Sequence, residues 1–157
     1  MITWYAAGAV VAVWVVFQST GLDFRFVAFG GIVPLGDAVV GHQAVLHSLI
    51  APTVAMTAVM AATAGRGRRL TRRRWIGLPI GWYFGLVLSG AFAHRAVFWW
   101  PAFGASFGDE AIWPPISVAV ALEVVGLVAL RTVWNRAELQ AVERRRAFLA
   151  SGRLDLP

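Results

Sequence analysis

The sequence predicts an all-α fold, a polytopic transmembrane bundle of four to five membrane segments, one of them irregular or re-entrant. Three observations predict it. Apolar residues make up 59% of the 157 residues and charged residues 14%, against roughly 45–50% and about 25% in soluble domains, so lipid is the expected solvent for much of the surface. The charges are bunched: all 14 Lys-plus-Arg positions are arginine, and most fall in two stretches, 66–74 and 136–146. Between these stretches run long apolar segments punctuated by Gly and Pro. The length suits a single domain, assigned to residues 1–134 and followed by a cytoplasmic amphipathic tail over 135–157. Cysteine is absent, which excludes disulfides, thiolate metal sites and a cysteine nucleophile.

The first element is the apolar run Trp4 to Phe17, just long enough to approach a hydrocarbon core of about 30 Å at about 1.5 Å per residue. It lacks a basic n-region, and Gln18-Ser19-Thr20 is no small-x-small cleavage site, so a retained helix is expected in place of a signal peptide. Phe24 to Gly41 is apolar but broken by Gly30, Gly31, Pro34 and Gly36, the pattern of backbone that lines a cavity or is satisfied by neighbouring helices. If it spans, Met1 lies outside; if it re-enters, Met1 lies inside. Gln43 to Ala64 is expected to span with a kink at Pro52, and Trp75 to His94 to return. Arg95 to Pro115, with Trp99, Trp100, Pro101, Trp113, Pro114 and Pro115, has the composition of an interfacial aromatic loop. Ile116 to Trp134 crosses back, and Asn135 to Arg153 has the charge mix of a short amphipathic helix.

Six arginines, Arg66, Arg68, Arg69, Arg72, Arg73 and Arg74, separate the third and fourth segments. The positive-inside rule retains them in the cytoplasm, which implies a multi-pass protein of the cytoplasmic membrane with residues 65–75 and the C-terminus inside. A formal charge of +6 would also suit nucleic acid. Beside long apolar runs, anionic lipid accounts for it at about 1 kcal/mol per basic residue near the surface. Membrane lipids and other membrane proteins are the expected partners, and nucleic acid is not.

Ionisable groups within membrane segments are costly and mark candidate sites. Asp37, His42, His47 and His94 are expected at similar depth near the outer face, with Glu123 about 12 Å below the outer end of the last helix. The catalytic candidates are Asp37, His47 and Glu123, and the metal-ligand candidates are Asp37, His42, His47 and His94. Each also has a purely structural role open to it. Asp37 suits a cap for free backbone N–H groups, and His42 and His94 suit the interface. His47 stands one turn into an apolar helix. Glu123 calls for a partner, with Arg25 or a histidine the nearest conceivable. His42 and His47 are about 140° apart on one helix, so they face one ion only if the helix starts between them. Hydrolase and nucleotide motifs such as G-x-S-x-G, Walker A and H-E-x-x-H are missing.

The stretches Leu22-Asp23-Phe24-Arg25-Phe26-Val27, Gly31-Ile32-Val33-Pro34, Val45-Leu46-His47-Ser48-Leu49, Leu86-Val87-Leu88-Ser89-Gly90 and Val97-Phe98-Trp99-Trp100-Pro101, in that order, resemble the membrane-bound metal-dependent hydrolases of the YdjM/YbcI type, short actinobacterial members above all. The resemblance covers about residues 22 to 130. It implies a helical scaffold related to zinc-dependent phospholipase C and P1 nuclease, with metal-assisted phosphodiester chemistry, and it assigns His47 to the family histidine. Leu35 and Ala38 stand where the family carries its acidic pair, and Gly85 and Ser89 where it carries a later histidine and aspartate. Losing such donors abolishes a catalytic ion. The expectation is therefore a structural or interaction component without a cofactor, zinc or another divalent ion being required only if the chain is an active hydrolase. A small proton-coupled transporter using Glu123 and the broken 30–36 segment is the third reading.

Overall fold

The computed structural model describes residues 1–18, 21–65, 67–103, 107 and 111–154. Ser19, Thr20, Arg66, parts of the aromatic loop and residues 155–157 of the tail lie outside it. The regular structure of the described residues is all helical, with no strand among them: α1 (Ile2–Phe17), α2 (Phe24–Ile32), α3 (Ile50–Ala62), α4 (Arg69–Trp75), α5 (Gly77–Ser89), α6 (Arg95–Phe98), α7 (Ile116–Arg136) and α8 (Val142–Ser151), with 3-10 turns at Val33–Val39, Val45–His47 and Ala91–Ala93.

The centre of the bundle is the pair α2 and α5, which run parallel. Gly77, Gly81 and Gly85 lie against the carbonyl groups of Asp23, Val27 and Gly31, and Gly30 lies against the Leu78 carbonyl. Both helices advance four residues per contact, so a small residue faces the partner backbone on every turn and the axes close to backbone contact. A methyl group on Gly85 would stand 2.5 Å from the Gly31 oxygen and one on Gly77 2.9 Å from the Asp23 oxygen, while one on Gly81 would collide with the Val27 carbonyl. α1 runs antiparallel to this pair. Its start is tied to the end of α5 by the Trp4 indole, whose Nε1 donates to Leu88 O at 3.3 Å, and its later turns bury Ala9, Val10 and Val13 with Phe24 and Val27. α7 lies alongside α1 from Glu123 near Met1 to Arg136 over the Trp14 ring. α3 packs against α5, where the Thr53 and Tyr83 hydroxyls meet at 2.8 Å.

This arrangement gives the bundle two ends. At the arginine end Asp23 caps α2, accepting from Arg25 N at 3.1 Å and gripping the Arg25 guanidinium through both oxygens, at 2.9 and 2.7 Å. Arg74 adds a second cation at 3.4 Å. The tail docks here: Phe24 N donates to Gly152 O at 2.7 Å, Arg25 reaches Leu149 O, and Leu139 and Leu154 join the cluster containing Val13, Val27 and Val133. Residues 135–154 are thus packed onto the bundle, and α7 continues to Arg136, past the boundary expected at residue 134. Burial pushes the Asp23 carboxyl up, but the hydrogen bonds and charge of Arg25, with Arg74, outweigh it and hold the group below the usual carboxylate range. A depressed folded value stabilises the fold above the unfolded value of about 3.9 and loses that contribution as pH falls through the depressed value. Asp23→Asn is therefore expected to lower stability by about 2 kcal/mol at neutral pH and to flatten the acid limb of a stability–pH curve, which thermal melts in mild detergent would read.

One helix among the described residues, α7, is long and apolar enough by itself to cross a membrane, at 21 residues; α1 and α3 are apolar but shorter. Three expected elements differ in detail. The segment expected over 43–64 becomes α-helical only at Ile50, which places Pro52 in the first turn, where its missing N–H costs no helical hydrogen bond, and not at a central kink. The return expected over 75–94 is divided between α4 and α5, and Pro79 again occupies a first turn. His47 closes a 3-10 turn ahead of α3 instead of lying within it.

Candidate functional site

The end of the bundle opposite the arginines carries four buried polar residues, Asp37, Gln43, His47 and Ser48. After α2 the chain tightens into the 3-10 turn Val33–Val39, which Pro34 enters at a position that needs no donor. This turn brings Asp37 beneath the loop leading to α3. The Asp37 carboxylate is nearly fully buried and accepts from Ala44 N at 2.8 Å, His47 N at 3.1 Å and Leu46 N at 3.3 Å. Its Oδ2 also meets His47 Nδ1 at 2.8 Å. The capping role open to Asp37 in the sequence is realised, on donors seven to ten residues away in place of its own helix. One carboxylate thereby folds the whole 44–47 segment around itself.

His47 is fully buried. Nδ1 faces the Asp37 carboxylate, which leaves Nε2 as the ring atom turned away from it. That atom is buried with no hydrogen-bond partner among the described residues. The neighbouring Trp82 indole donates to Leu46 O at 2.8 Å and Leu49 N to Phe98 O at 2.8 Å, so α5 and α6 both brace the turn that holds the imidazole.

The other sequence candidates do not join this pair. His42 Nδ1 lies 3.1 Å from the Gln43 carbonyl oxygen. His94, beyond the Ala91–Ala93 turn, meets Gln43 Oε1 at 3.4 Å, while Gln43 Nε2 donates to Ala111 O at 3.0 Å. Gln43 is buried and bridges two segments, a role that sequence reasoning missed because a lone Gln at the head of an apolar run carries no motif. Glu123 sits at the flank of α7 and pairs with the Met1 ammonium at 3.1 Å, accepting also from Thr3 N at 3.3 Å. The partner expected for it, Arg25 or a histidine, is replaced by the start of α1, because α1 and α7 run in register and Arg25 is at the far end.

A zinc site needs three or four converging donors. Among the described residues no group of three or more His, Asp or Glu side chains is placed to hold an ion. His47 Nε2 offers one donor, and both Asp37 oxygens are engaged by N–H groups. The positions at which the family resemblance implies further ligands are otherwise employed. Gly85 is closed against Gly31, leaving no room for an imidazole, and Ser89 donates to Leu86 O at 2.9 Å and accepts from Ala91 N at 3.3 Å, finishing α5. The described donor set does not fit a catalytic ion. No protein-family model, curated protein or solved structure matches the chain.

Proposed function

We propose that the chain is a multi-pass protein of the cytoplasmic membrane, arginine end inside and histidine end outside, on a scaffold similar to the membrane-bound metal-dependent hydrolases, acting as a structural or interaction component without catalysis. Support for the membrane reading comes from α7, on which Val120, Val124, Val125, Leu127 and Val128 are all more than half exposed, a lipid-facing stripe with no counterpart on ordinary soluble surfaces. α1, α2 and α5 extend along the same axis between the same two ends, and the arginines of α4 at one end orient them. With α2 rising from the arginine end, Met1 falls outside.

The observation that carries the non-catalytic reading is the use of both Asp37 oxygens by backbone N–H groups, Oδ1 by Leu46 and Oδ2 by Ala44 and His47, with Oδ2 also meeting the His47 imidazole. A carboxylate that holds backbone N–H groups through both oxygens serves the fold of the 44–47 segment first. Metal analysis of the protein purified in mild detergent tests it. The expected result is less than stoichiometric zinc, unchanged by His47→Ala; one tightly bound equivalent lost in that variant would overturn it.

The unpartnered His47 Nε2 favours one second reading, a metal-dependent hydrolase acting on a lipid phosphodiester at the outer leaflet. Zinc-dependent release of a phosphorylated headgroup, abolished by His47→Ala, is what that reading requires.

A further inference from the structure

Two cavities meet at the arginine end, one charged and one apolar. The first, of about 380 Å³, lies between α4, the start of α2 and the tail, and Arg25, Arg73, Arg74 and Arg153 all line it against the single carboxylate of Asp23. Arg25 and Arg74 are engaged with that carboxylate. Arg73 and Arg153 are exposed, and their guanidinium groups have no hydrogen-bonding or ion-pair partner among the described residues, although both line the same space. Four cations against one anion leave an excess of three positive charges in one cavity, an arrangement unfavourable without an anion between them.

The second cavity, of about 370 Å³, is almost wholly apolar and is walled by Ala6, Ala28, Leu130, Trp134, Leu139 and Phe148. Arg25 lines both cavities, so one side chain forms the step from the charged space to the apolar one. An arginine cluster alone would suit any phosphate. An arginine cluster joined to an apolar slot of this size suits a phosphate that carries a hydrocarbon chain, placed where the cytoplasmic leaflet meets its headgroups.

We propose that this end of the bundle binds one anionic phospholipid, its phosphate held between Arg73 and Arg153 and an acyl chain lodged in the slot between α1, α2 and α7. The lipid adds a second tie between the tail and α4, beside the one that runs from Arg74 through Asp23 and Arg25 to Leu149 O, and so fixes the cytoplasmic face of the bundle. The inference rests on the membrane reading above.

The test reconstitutes the full chain into vesicles of phosphatidylcholine with a minor share of phosphatidylglycerol, extracts it gently and measures the retained lipid by native mass spectrometry. Phosphatidylglycerol is expected to be enriched over its bulk share. Arg73→Gln and Arg153→Gln each reduce the enrichment by about fivefold, whereas Arg146→Gln, on the same end but outside the cavity, leaves it unchanged. Ala28→Phe, which fills the slot without altering charge, lowers lipid retention as well. Equal loss with Arg146→Gln would reduce the effect to general surface charge and overturn the site. Stabilisation by inorganic phosphate matching that by the lipid, with Ala28→Phe silent, would assign the cavity to a soluble phosphate and also overturn it. Both lipids retained in bulk proportion would defeat the proposal and leave the membrane reading standing. Release of the chain from membranes by alkaline carbonate would defeat both.

Discussion

Gly81→Leu is expected to unseat α5 from α2 and cost the fold about 3 kcal/mol or more. The reason lies in what the new side chain meets. A Cβ at residue 81 is directed into the Val27 carbonyl, with Val27 Cα at 2.9 Å, and the backbone of a packed helix cannot rotate away as a side chain can. Even Gly81→Ala, which would gain about 1 kcal/mol of helix propensity at an open site, should be destabilising here, because the steric cost of parting two helices exceeds that gain. Two glycines supply controls. At Gly8 an added methyl meets the tip of the Leu88 side chain, at 2.8 Å, which can change rotamer, so Gly8→Ala should cost less than about 1 kcal/mol. At Gly67 it meets nothing. Titration of the folded fraction with SDS in mixed micelles would rank the variants. Gly81→Leu as stable as Gly8→Ala would refute the close crossing.

The helical class and the identity of the two ends were legible in the sequence because they rest on composition and on clustered charge, which survive any detail of packing. Segment limits were less legible. Pro52 reads as a kink when the apolar run is taken as one helix, yet it stands in a first turn, and the signal that separates these cases is the chain before the proline, where His47-Ser48 breaks the run. The central crossing was also present in the sequence as Gly77, Gly81 and Gly85 at spacing four, a small-residue repeat that marks helix contact. It is hidden when Gly85 is weighed only as a missing ligand. The pairing of Asp37 with His47 needed three dimensions. Ten residues and two 3-10 turns separate them, and neither periodicity nor spacing reports that the first turn folds back under the second. The partner of Glu123 was equally out of reach, since it depends on the register between α1 and α7.

Asp37→Ala is expected to be the most damaging single change at the histidine end, at about 4 kcal/mol. Removing the carboxylate leaves the buried N–H of Ala44 without an acceptor, at about 1–3 kcal/mol, takes one of two acceptors from His47 N, which also donates to Ala44 O at 3.0 Å, and strands His47 Nδ1 as well. His47→Ala removes a fully buried ring but leaves Asp37 its three backbone donors, so its cost should be lower, about 2–3 kcal/mol. The two effects should not add: in the double variant the imidazole that Asp37 served is already gone, and a coupling of about 1–3 kcal/mol is expected from a double-mutant cycle. Asp37→Asn should fall between, because the amide retains one acceptor oxygen and turns its NH2 toward groups that also donate. The ranking separates two roles for the same carboxylate. If Asp37 served mainly to orient His47 for chemistry, Asp37→Ala and His47→Ala would cost the fold alike and differ in activity. A larger stability loss at Asp37, spread over the 44–47 segment in hydrogen exchange, follows only if the carboxylate is the nucleus around which that segment is folded.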